Sequence, residues 1–382
     1  MSEKPLRVSL DVSAVPEHPV GAGRYTIELA RELASIGLLE LHLVARRSDA
    51  ARWRLTCPGA SLHAVVPSSR PLRLAFEQVV LPRYLRRWGV AVHHGPHYTL
   101  PERTTVPLVA TIHDLTFFTR PGDHEAVKVR FFRRAIRRAV SRASVLIAVS
   151  DATRRALEER FPGHPPVVVA PHGVDGARFS PLAAPNDHEL VAQAGVDPST
   201  RFVLHVGTVE PRKGIDVLAR AVVELNGSGQ SIQLVVAGRR GWGGDLLAPY
   251  REELGPALVE TGYLTDDQVP ALLRAAAVVA YPSREEGFGL PVLEALACGA
   301  SVVTTEGSVM AEVAGGAAHL APVDDVRGLA VAIGAALGEA AGERDARRAA
   351  GLAVARAATW SRSAELHVEA YRAAAAATGS VR

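Results

Sequence analysis

The chain has few of the residues that build disulfide or metal sites. Only two of its 382 residues are cysteines, and Cys57 and Cys298 stand far apart with no metal-type spacing. This pattern is typical of unpaired thiols in a reducing compartment. There is no Asp-x-Asp pair, and Asp324-Asp325 has the position of a helix cap. We therefore expect neither a disulfide framework nor a metal cofactor.

Long apolar runs are also absent. No stretch approaches the roughly 18 apolar residues that a membrane-spanning helix needs, and no apolar leader precedes the strand-like run Leu6 to Val12. With 48% hydrophobic and 22% charged residues, the chain can bury full-sized cores. At about 150 residues per domain, its length predicts two or three domains. The sequence thus predicts a cytoplasmic globular protein.

Charge is unevenly distributed. Residues 1–180 carry 26 Lys and Arg against 16 Asp and Glu, whereas residues 181–382 carry 17 against 24. The basic half peaks at Lys128 to Arg142, where a helix would align Phe132, Ile136 and Ala139 among arginines. Two interpretations stay open: an arm that lies on anionic membrane, or the solvated face of a surface helix. No recognition motif accompanies the charge, so nucleic acid is not expected as a partner.

Short apolar strands alternate with longer amphipathic segments, which predicts a parallel α/β architecture. The pattern breaks at a polar stretch after residue 180 and restarts as a strand at Phe202 to Val206. We predict an N-terminal domain over 1–180, a linker over 181–200, a second domain over 201–360, and a final helix and tail over 361–382. In such sheets ligands bind beyond the carboxyl ends of the strands, where the polar motifs of this chain fall.

The most informative motif joins two carboxylates eight positions apart, Glu286 and Glu294. Between them Gly287 and Gly289 allow backbone N–H groups to approach an anion, and Leu290 to Ala297 reads as a helix. This arrangement suits a sugar hydroxyl, a diphosphate and a ribose diol in one row. An ordinary helix start with an acidic cap is the alternative.

Two further motifs suggest phosphate binding. Arg212 and Lys213 follow a strand and are expected to open a helix, where charge and helix dipole would both favour a diphosphate. A surface Arg-Lys pair is the alternative. Gly21 and Gly23 lie between the first strand and the first helix, but they lack the third glycine of a dinucleotide fingerprint, so a plain turn is equally open.

The ordered set of motifs resembles family 4 glycosyltransferases, which have the GT-B fold and use nucleotide-sugar donors. The resemblance covers nearly the whole chain. One departure is Met310-Ala311-Glu312, where many relatives have a proline before the glutamate. The resemblance itself rests on the Glu286 to Glu294 motif and on seven others: Val20 to Tyr25, His94 to Tyr98, Thr111 to Leu115, Ala170 to Asp175, Val206 to Gly214, Ala237 to Trp242 and Thr261 to Leu264.

This resemblance implies two Rossmann-like domains whose parallel sheets face each other across a cleft, with a C-terminal helix that crosses back to the N-terminal domain. It also implies the roles of residues. Glu286 would hold sugar hydroxyls, and His113 would reach the sugar near its reactive carbon. Glu294 would hold the ribose. The remaining donor contacts would come from Gly21, Gly23, Thr208, Arg212, Lys213, Tyr263, Leu264, Gly287, Phe288, Gly289 and Leu290.

On the acceptor side the implied residues are His97, Tyr98 and Asp114. The expected reaction is transfer of a hexose to a glycan or lipid-linked hydroxyl with retention of configuration, and without cofactor or metal. The most similar subgroup contains bacterial mannosyltransferases of polysaccharide and glycolipid assembly, so GDP-mannose is the leading donor. The expected location is cytoplasmic, with peripheral contact at the inner face of the plasma membrane through Lys128 to Arg142.

Two other readings stay open. A GT-B phosphorylase of the pyridoxal type needs a cofactor lysine, and the three lysines here offer only Lys213 within a motif. A GT-B nucleotide-sugar epimerase is grouped with the phosphorylase in this alternative. A non-catalytic sensor of sugar nucleotides should have a damaged Glu286 to Glu294 motif or Arg212-Lys213 pair, and both are intact.

Overall fold

The structure is a computed structural model that describes residues 5–379, and these residues form two compact units. Unit 1 comprises the described residues up to Gly122, Ala126–Gly173 and those from Trp360 onward. Unit 2 comprises Asp123–Glu125 and Val174–Thr359. The chain therefore leaves unit 1, builds unit 2 and returns to unit 1. Among residues 5–379, no helix is both long and apolar enough to cross a membrane.

Unit 1 is built on a seven-stranded parallel sheet in the order β3-β2-β1-β4-β5-β6-β7. The strands buried on both faces are apolar runs, as expected when helices cover both sides of a parallel sheet. Its elements before unit 2 are β1 (Leu6–Asp11), α1 (Ala22–Ser35), β2 (Leu39–Arg46), α2 (Ala50–Thr56), β3 (Ser61–Val66), α3 (Arg70–Val79), α4 (Leu81–Arg87), β4 (Val92–Gly95), β5 (Leu108–Ile112), α5 (Thr116–Thr119), α6 (Ala126–Arg142), β6 (Val145–Ala148), α7 (Asp151–Arg160) and β7 (Val167–Val169).

Unit 2 contains a six-stranded parallel sheet in the order β10-β9-β8-β11-β12-β13. Its elements are α8 (Asp187–Gln193), β8 (Phe202–Val206), α9 (Ile215–Gly227), β9 (Gln233–Ala237), α10 (Arg251–Leu254), β10 (Leu258–Gly262), α11 (Gln268–Ala275), β11 (Val278–Tyr281), α12 (Leu290–Ala297), β12 (Val302–Thr305), α13 (Val309–Ala314), β13 (Ala318–Ala321), α14 (Val326–Gly338) and α15 (Ala341–Ala357). The expected pair of parallel-sheet α/β domains is confirmed.

Helix α16 (Trp360–Gly379) closes the described chain and packs in unit 1 against α1 and β6. The predicted linker, residues 181–200, includes a helix, α8, that packs on α11 within unit 2. An ion pair also holds this helix, because Arg274 of α11 bonds both carboxylate oxygens of Asp187, at 2.5 and 2.7 Å.

Five buried side chains hydrogen-bond α16 to the rest of unit 1. Each of the four bonds that join them measures 2.8 Å. Burial strongly raises the pKa of both tyrosines and lowers the pKa of both histidines, so all four rings are neutral. In order, the five are Tyr371, His94, Thr111, Tyr25 and His367.

The direction of these bonds follows from one end. The carbonyl oxygen of Ser363 can only accept, so Nδ1 of His367 donates to it at 2.6 Å. Nε2 of His367 must then accept from the Tyr25 hydroxyl. The remaining donors point the same way, which leaves Nδ1 of His94 to accept from Tyr371. Every member is satisfied only while both imidazoles are neutral.

Helix α6 differs from one sequence expectation. Its apolar stripe faces the core of unit 1, where Val129 and Ile136 are buried and Phe132 stacks on Phe117 with ring centres 4.5 Å apart. The stripe is therefore not available to a membrane, and the prediction of a membrane-facing Phe132/Ile136 stripe is corrected. Periodicity shows that a helix has an apolar side but not whether protein or lipid covers it.

Candidate functional site

The two halves of the candidate donor site meet because of strand order in unit 2. The chain starts its sheet at β8, builds outward through β9 and β10, and then returns to place β11 on the other side of β8. Loops leaving β8 and β11 consequently diverge at the reversal point, where open α/β sheets form a crevice. Arg212 and Lys213 follow β8, and Glu286 follows β11.

Arg212 and Lys213 lie in a 3-10 turn, Pro211–Lys213, and α9 begins only at Ile215. The expectation that the two cations open the helix is therefore corrected: they lie in the turn that precedes it. The cause is Gly214, whose φ of +64° interrupts the helical backbone. A side chain there would also clash with the carbonyl oxygen of Pro282, so the loops after β8 and β11 touch at this glycine.

Glu286 receives both cations. Its Oε2 lies 2.7 Å from Nη1 of Arg212, and its Oε1 lies 2.5 Å from Nζ of Lys213. All three side chains are only 14–15% exposed. Burial alone would raise the pKa of Glu286, but Arg212 and Lys213 outweigh it and lower the pKa to about 2. Glu286 is thus a permanent carboxylate that forms ion pairs with both cations predicted to bind phosphate.

The rest of the turn fixes the guanidinium of Arg212. Its Nη2 donates to Glu210 at 2.7 Å, and its Nη1 donates to the carbonyl oxygen of Glu285 at 2.9 Å. Arg212 is therefore held in one orientation by both loops. Lys213 is held less rigidly, because its ammonium lies on a flexible stem and, within residues 5–379, hydrogen-bonds Glu286 alone.

The second carboxylate of the motif lies in the second turn of α12. Glu294 is half-buried, and its charge adds to burial in raising the pKa of the Tyr281 hydroxyl. The loop before α12 ends at Gly289, with a φ of +101°. Met310 packs against that glycine, so a side chain at 289 would collide with it. Phe288 is buried and Gly287 half-buried beside it.

Two more of the predicted donor-binding residues follow β10. Tyr263 is 44% exposed and Leu264 is buried. The guanidinium of Arg239, which follows β9, lies 4.9 Å from the centre of the Tyr263 ring. Thr208, after β8, is half-buried beside Gly241. In the sequence Arg239 is only one member of the Ala237 to Trp242 motif. In the structure it forms a cation–π contact with Tyr263 at this end of the sheet.

Sequence reasoning missed His205, which is fully buried in the middle of β8. Its Nδ1 donates to the carbonyl oxygen of Ala280 at 3.0 Å, while Nε2 has no partner among the described residues. Burial, followed by the charge of Lys213, lowers the pKa of His205 to about 4. A neutral acceptor therefore lies beneath the cation pair. The sequence signal that could have identified His205 is a histidine within an otherwise apolar strand.

In unit 1, the candidate residues follow β1, β4 and β5, which are neighbours in the sheet. His113 follows β5, and its Nε2 donates to the carbonyl oxygen of Pro96 at 2.8 Å. Its ring meets Tyr25 edge-on at 4.9 Å, and its own carbonyl oxygen accepts from Thr153 at 3.2 Å. Burial lowers the pKa of His113 despite the opposing Pro96 bond, so the ring is a neutral, firmly oriented group.

The three predicted acceptor residues surround His113. Tyr98 has a φ of +62°, a left-handed conformation that is unusual for an aromatic residue and is often found at functional sites. Its hydroxyl accepts from the backbone N–H of Asp114 at 3.3 Å, and its ring meets that of His97 at 4.9 Å. The carboxylate of Asp114 accepts two bonds from Thr116, so it holds the turn that leads into α5.

The two glycines after β1 have structural reasons for being glycine. Gly21 has a φ of +48° at the start of α1. Gly23 lies in the first turn of that helix, where a side chain would come within 3.2 Å of Pro16 and of Pro19. The turn interpretation accounts for both residues, and a role with phosphate stays a prediction.

Comparison with known proteins identifies similar chains along the full length. Residues 19–178 match the family model described as Glycosyltransferase Family 4, and residues 200–339 match that of Glycosyl transferases group 1. O-antigen chain mannosyltransferase B of Escherichia coli is 29% identical over 92% of this chain and 96% of its own. D-inositol 3-phosphate glycosyltransferase of Kineococcus radiotolerans is 31% identical over 92% of this chain and 90% of its own.

Among solved structures, Anabaena Alr3699/HepE in complex with UDP-glucose has a TM-score of 0.73 at 18% identity, covering 95% of this chain and 98% of its own. At this identity the likeness shows the fold alone. The fold is that of two parallel-sheet α/β domains.

Proposed function

The chain belongs to family 4 of the glycosyltransferases and is a transferase with the GT-B fold, and on that premise we propose that it moves a hexose from a nucleotide-diphosphate sugar to a hydroxyl of a glycan or lipid-linked acceptor. The observation that carries the proposal is the convergence of Arg212 and Lys213 on Glu286 in unit 2. Cations that suit a diphosphate stand within bonding distance of a carboxylate that suits sugar hydroxyls.

The ion pairs suggest how the donor enters. Its diphosphate replaces Glu286 as the partner of Arg212 and Lys213, and the backbone N–H groups of Gly287 to Gly289 add further donors. Glu286, released from both cations, then accepts hydrogen bonds from sugar hydroxyls. Glu294, eight residues on, accepts from the ribose. In this proposal the two cations exchange Glu286 for the diphosphate, and Glu286 exchanges the cations for the sugar. All three side chains are already in place.

The cation pair also supplies the electrostatics of bond breaking. As the bond from sugar to phosphate lengthens, negative charge grows on the leaving diphosphate, and Arg212 and Lys213 stabilise it in a partly buried site. Such preorganised donors contribute several kcal/mol to rate enhancement. We infer that a metal ion is not required. Undiminished transfer in EDTA supports this inference, and strict dependence on added divalent ions contradicts it.

The stereochemical proposal is retention, through substitution on the same side of the sugar as the leaving phosphate. The leaving phosphate oxygen would take the proton of the acceptor hydroxyl. His113 is the unit 1 residue proposed to contact the sugar, with its ring held by Pro96 and its carbonyl oxygen available for a second bond. The anomeric configuration of the product, read by NMR, tests this directly.

The proposed donor is GDP-mannose. Support comes from the Escherichia coli relative, named as a mannosyltransferase and aligned over nearly both chains. The Anabaena protein was solved in complex with UDP-glucose, which is the reason to test UDP sugars alongside GDP-mannose. A thermal-shift screen of GDP-, UDP- and dTDP-linked hexoses is the discriminating experiment, since specific binding raises apparent stability by mass action. A response to UDP with none to GDP contradicts the mannose proposal.

The transferase proposal has its own test. The hexose donor selected by the screen is incubated with and without a lipid-linked or soluble glycan acceptor, and donor consumption is followed. We expect consumption to rise with acceptor, and Arg212→Ala and Lys213→Ala each to weaken nucleoside-diphosphate binding. Because the two residues share one ligand, the double variant should cost less than the sum. Tight donor binding without any turnover would favour the sensor alternative.

A further inference from the structure

One buried side chain of unit 2 has a polar atom that the proposed reaction leaves unused. His205 lies among apolar residues in β8, and it is fully buried. Its Nε2 has no hydrogen-bond partner among residues 5–379. A buried polar atom without a partner costs stability, so an apolar side chain would suit the core of this strand better. The missing hydrogen bond must come from a group that can move to the imidazole.

The ring of His205 can serve only as an acceptor at Nε2. Nδ1 donates to the carbonyl oxygen of Ala280 on β11 at 3.0 Å, and a carbonyl oxygen can only accept. The proton of the neutral imidazole is therefore on Nδ1. Burial and the charge of Lys213 both lower the pKa of His205, so a second proton is disfavoured. The neighbouring strand thus fixes the tautomer, and Nε2 presents a lone pair.

This lone pair borders the same space as the side chain of Lys213. A Cβ atom on Gly207 would lie 3.3 Å from Nε2 of His205 and 3.9 Å from Cε of Lys213, so the glycine keeps the space between them open. The ring of Tyr281 meets His205 edge-on with centres 5.5 Å apart, but its buried hydroxyl is likewise unpartnered in the described part of the chain. Lys213 is therefore the donor that this space brings to the imidazole.

The ammonium of Lys213 can make more hydrogen bonds than it does. It has three N–H donors, and its partner within the described residues is Glu286 alone, at 2.5 Å. A phosphate oxygen that replaces Glu286 uses one donor and leaves two. Because the lysine stem is flexible, the ammonium can shift without backbone movement. Lys213 can therefore bind a phosphate oxygen and Nε2 of His205 together.

We propose that His205 is a positioning residue for Lys213: once the diphosphate of the donor has displaced Glu286, Nε2 accepts a hydrogen bond from the ammonium and holds it against the leaving phosphate. The inference rests on the proposed exchange of Glu286 for the diphosphate, and it identifies the residue that then orients Lys213. Otherwise the flexible ammonium would lose its orientation with Glu286. Arg212 needs no such residue, since both loops already hold its guanidinium.

The test is a double-mutant cycle on diphosphate binding, measured by calorimetry with the full chain. The probes are GDP, UDP and inorganic pyrophosphate, so the result does not depend on which base the protein prefers. His205→Asn keeps a donor for the carbonyl oxygen of Ala280 but has no acceptor at the position of Nε2. We expect it to weaken binding by about tenfold, as the loss of a hydrogen bond to a charged group should. In the Lys213→Ala background the same change should have no effect.

Three further variants separate positioning from packing. His205→Gln puts an amide oxygen near the position of Nε2, so it should bind the probes more tightly than His205→Asn does. His319→Asn is the matched control, because it makes the same substitution in the edge strand β13 of the same sheet. Tyr281→Phe removes the neighbouring unpartnered hydroxyl. The last two should bind the probes as the wild type does.

A measurement on the wild type does not require any variant to fold. In protein with isotope-labelled histidine, nitrogen NMR should show Nε2 of His205 changing to a hydrogen-bonded acceptor when a probe is added, whereas Nδ1 keeps its proton. An Nε2 signal that ignores a bound probe would overturn the proposal.

The cycle can overturn it in other ways. If the loss by His205→Asn persists in the Lys213→Ala background, His205 serves only the packing of its strand. An equal loss by Tyr281→Phe would make the tyrosine hydroxyl the partner of Nε2. Unchanged binding by His205→Asn, with binding weakened by Lys213→Ala, would refute the role of His205 alone. Unchanged binding by Lys213→Ala would refute the diphosphate contact as well.

Discussion

At the scale of single residues, the central feature is that Glu286 forms ion pairs with both Arg212 and Lys213. A carboxylate with a pKa of about 2 keeps this arrangement across the whole working pH range. The ion pairs therefore compete with any diphosphate for the same cations. They also hold both cations in place before the donor arrives, which lowers the ordering cost of binding.

This competition gives a prediction for Glu286→Gln. Without the carboxylate, Lys213 loses its ion-pair partner and Arg212 keeps that with Glu210, so the net positive charge rises by one and the affinity for the nucleoside diphosphate should rise by about tenfold, or about 1.4 kcal/mol. Transfer should nevertheless fall, because the neutral amide offers the sugar hydroxyls one weaker acceptor oxygen in place of two charged ones. Calorimetry of nucleotide binding together with turnover measures both effects.

The control is Glu253→Gln, which removes a carboxylate from an exposed position on α10. It should change neither quantity. Weaker nucleotide binding by the Glu286 variant would mean that Glu286 organises the cations rather than competing for them.

Glu294 should behave differently from Glu286. If it holds the ribose, Glu294→Gln loses a bond that ground state and transition state share, so the donor KM should rise more than kcat falls. A hydrogen bond to a charged group contributes about 1.5–3 kcal/mol, which corresponds to a roughly tenfold to hundredfold rise. Steady-state kinetics decide the matter, and a pure kcat defect would assign Glu294 to bond breaking.

At the scale of elements, α16 depends on one directional series of hydrogen bonds. Tyr371→Phe leaves the buried Nδ1 of His94 without a donor, which costs about 1–3 kcal/mol. For a unit of this size each kcal/mol lowers the melting temperature by about 2–4 °C. Calorimetric melting should show that loss.

The comparison variant is Tyr84→Phe, since the Tyr84 hydroxyl has no hydrogen-bond partner within residues 5–379 and its ring stacks on Trp88. It should melt as the wild type does. Equal melting of the two variants would show that the series contributes nothing to the docking of α16.

Local rules predicted much at this scale. Serine is a favoured residue before a helix, and the hydroxyl of Ser150 caps α7 by accepting from the N–H of Thr153. The expected strands occur because apolar runs bounded by polar loops leave few other choices in a parallel sheet. The motif from Glu286 to Glu294 was placed correctly on a loop and a helix because Gly289 and the following apolar run mark the helix start.

Long-range contacts could not be read in the same way. Periodicity identified α6 as amphipathic, but only the position of β5 and α5 decides that its stripe is buried. The burial of Glu77 on α3 depends on bonds from Glu77 and Gln78 to residues about twenty positions away. The ion pairs of Glu286 with Lys213 and Arg212 cross seventy-three and seventy-four positions, so no local pattern reports them.

At the scale of the whole molecule, buried histidines make stability depend on pH. Burial lowers the pKa of His93 and His367 in unit 1 to about 4 and that of His97 to about 3, against an ordinary value of 6.5. The unfolded chain therefore binds more protons than the folded chain between about pH 4 and 6.5. Stability is fully present above pH 6.5 and falls as pH drops through that window.

Unit 1 should lose stability first. It contains those three histidines together with His94 and His113, whose pKa values are also lowered, whereas His205 and the half-buried His319 are the shifted histidines in the described part of unit 2. Hydrogen exchange read peptide by peptide at pH 7.5 and pH 5 should show protection falling more in unit 1. Equal loss in both units would assign the acid response to surface charge instead.

The return of α16 to unit 1 has a consequence for how the protein is made. A ribosome delivers every strand of the first sheet early, but the partners of Tyr25 and His94 on α16 emerge only after all of unit 2. Unit 2, nearly continuous in sequence, can finish first, although domains usually mature in the order of synthesis. A nascent chain stopped before residue 360 would consequently carry a completed second half and an unfinished first half, with its histidine-lined surface still open to chaperones.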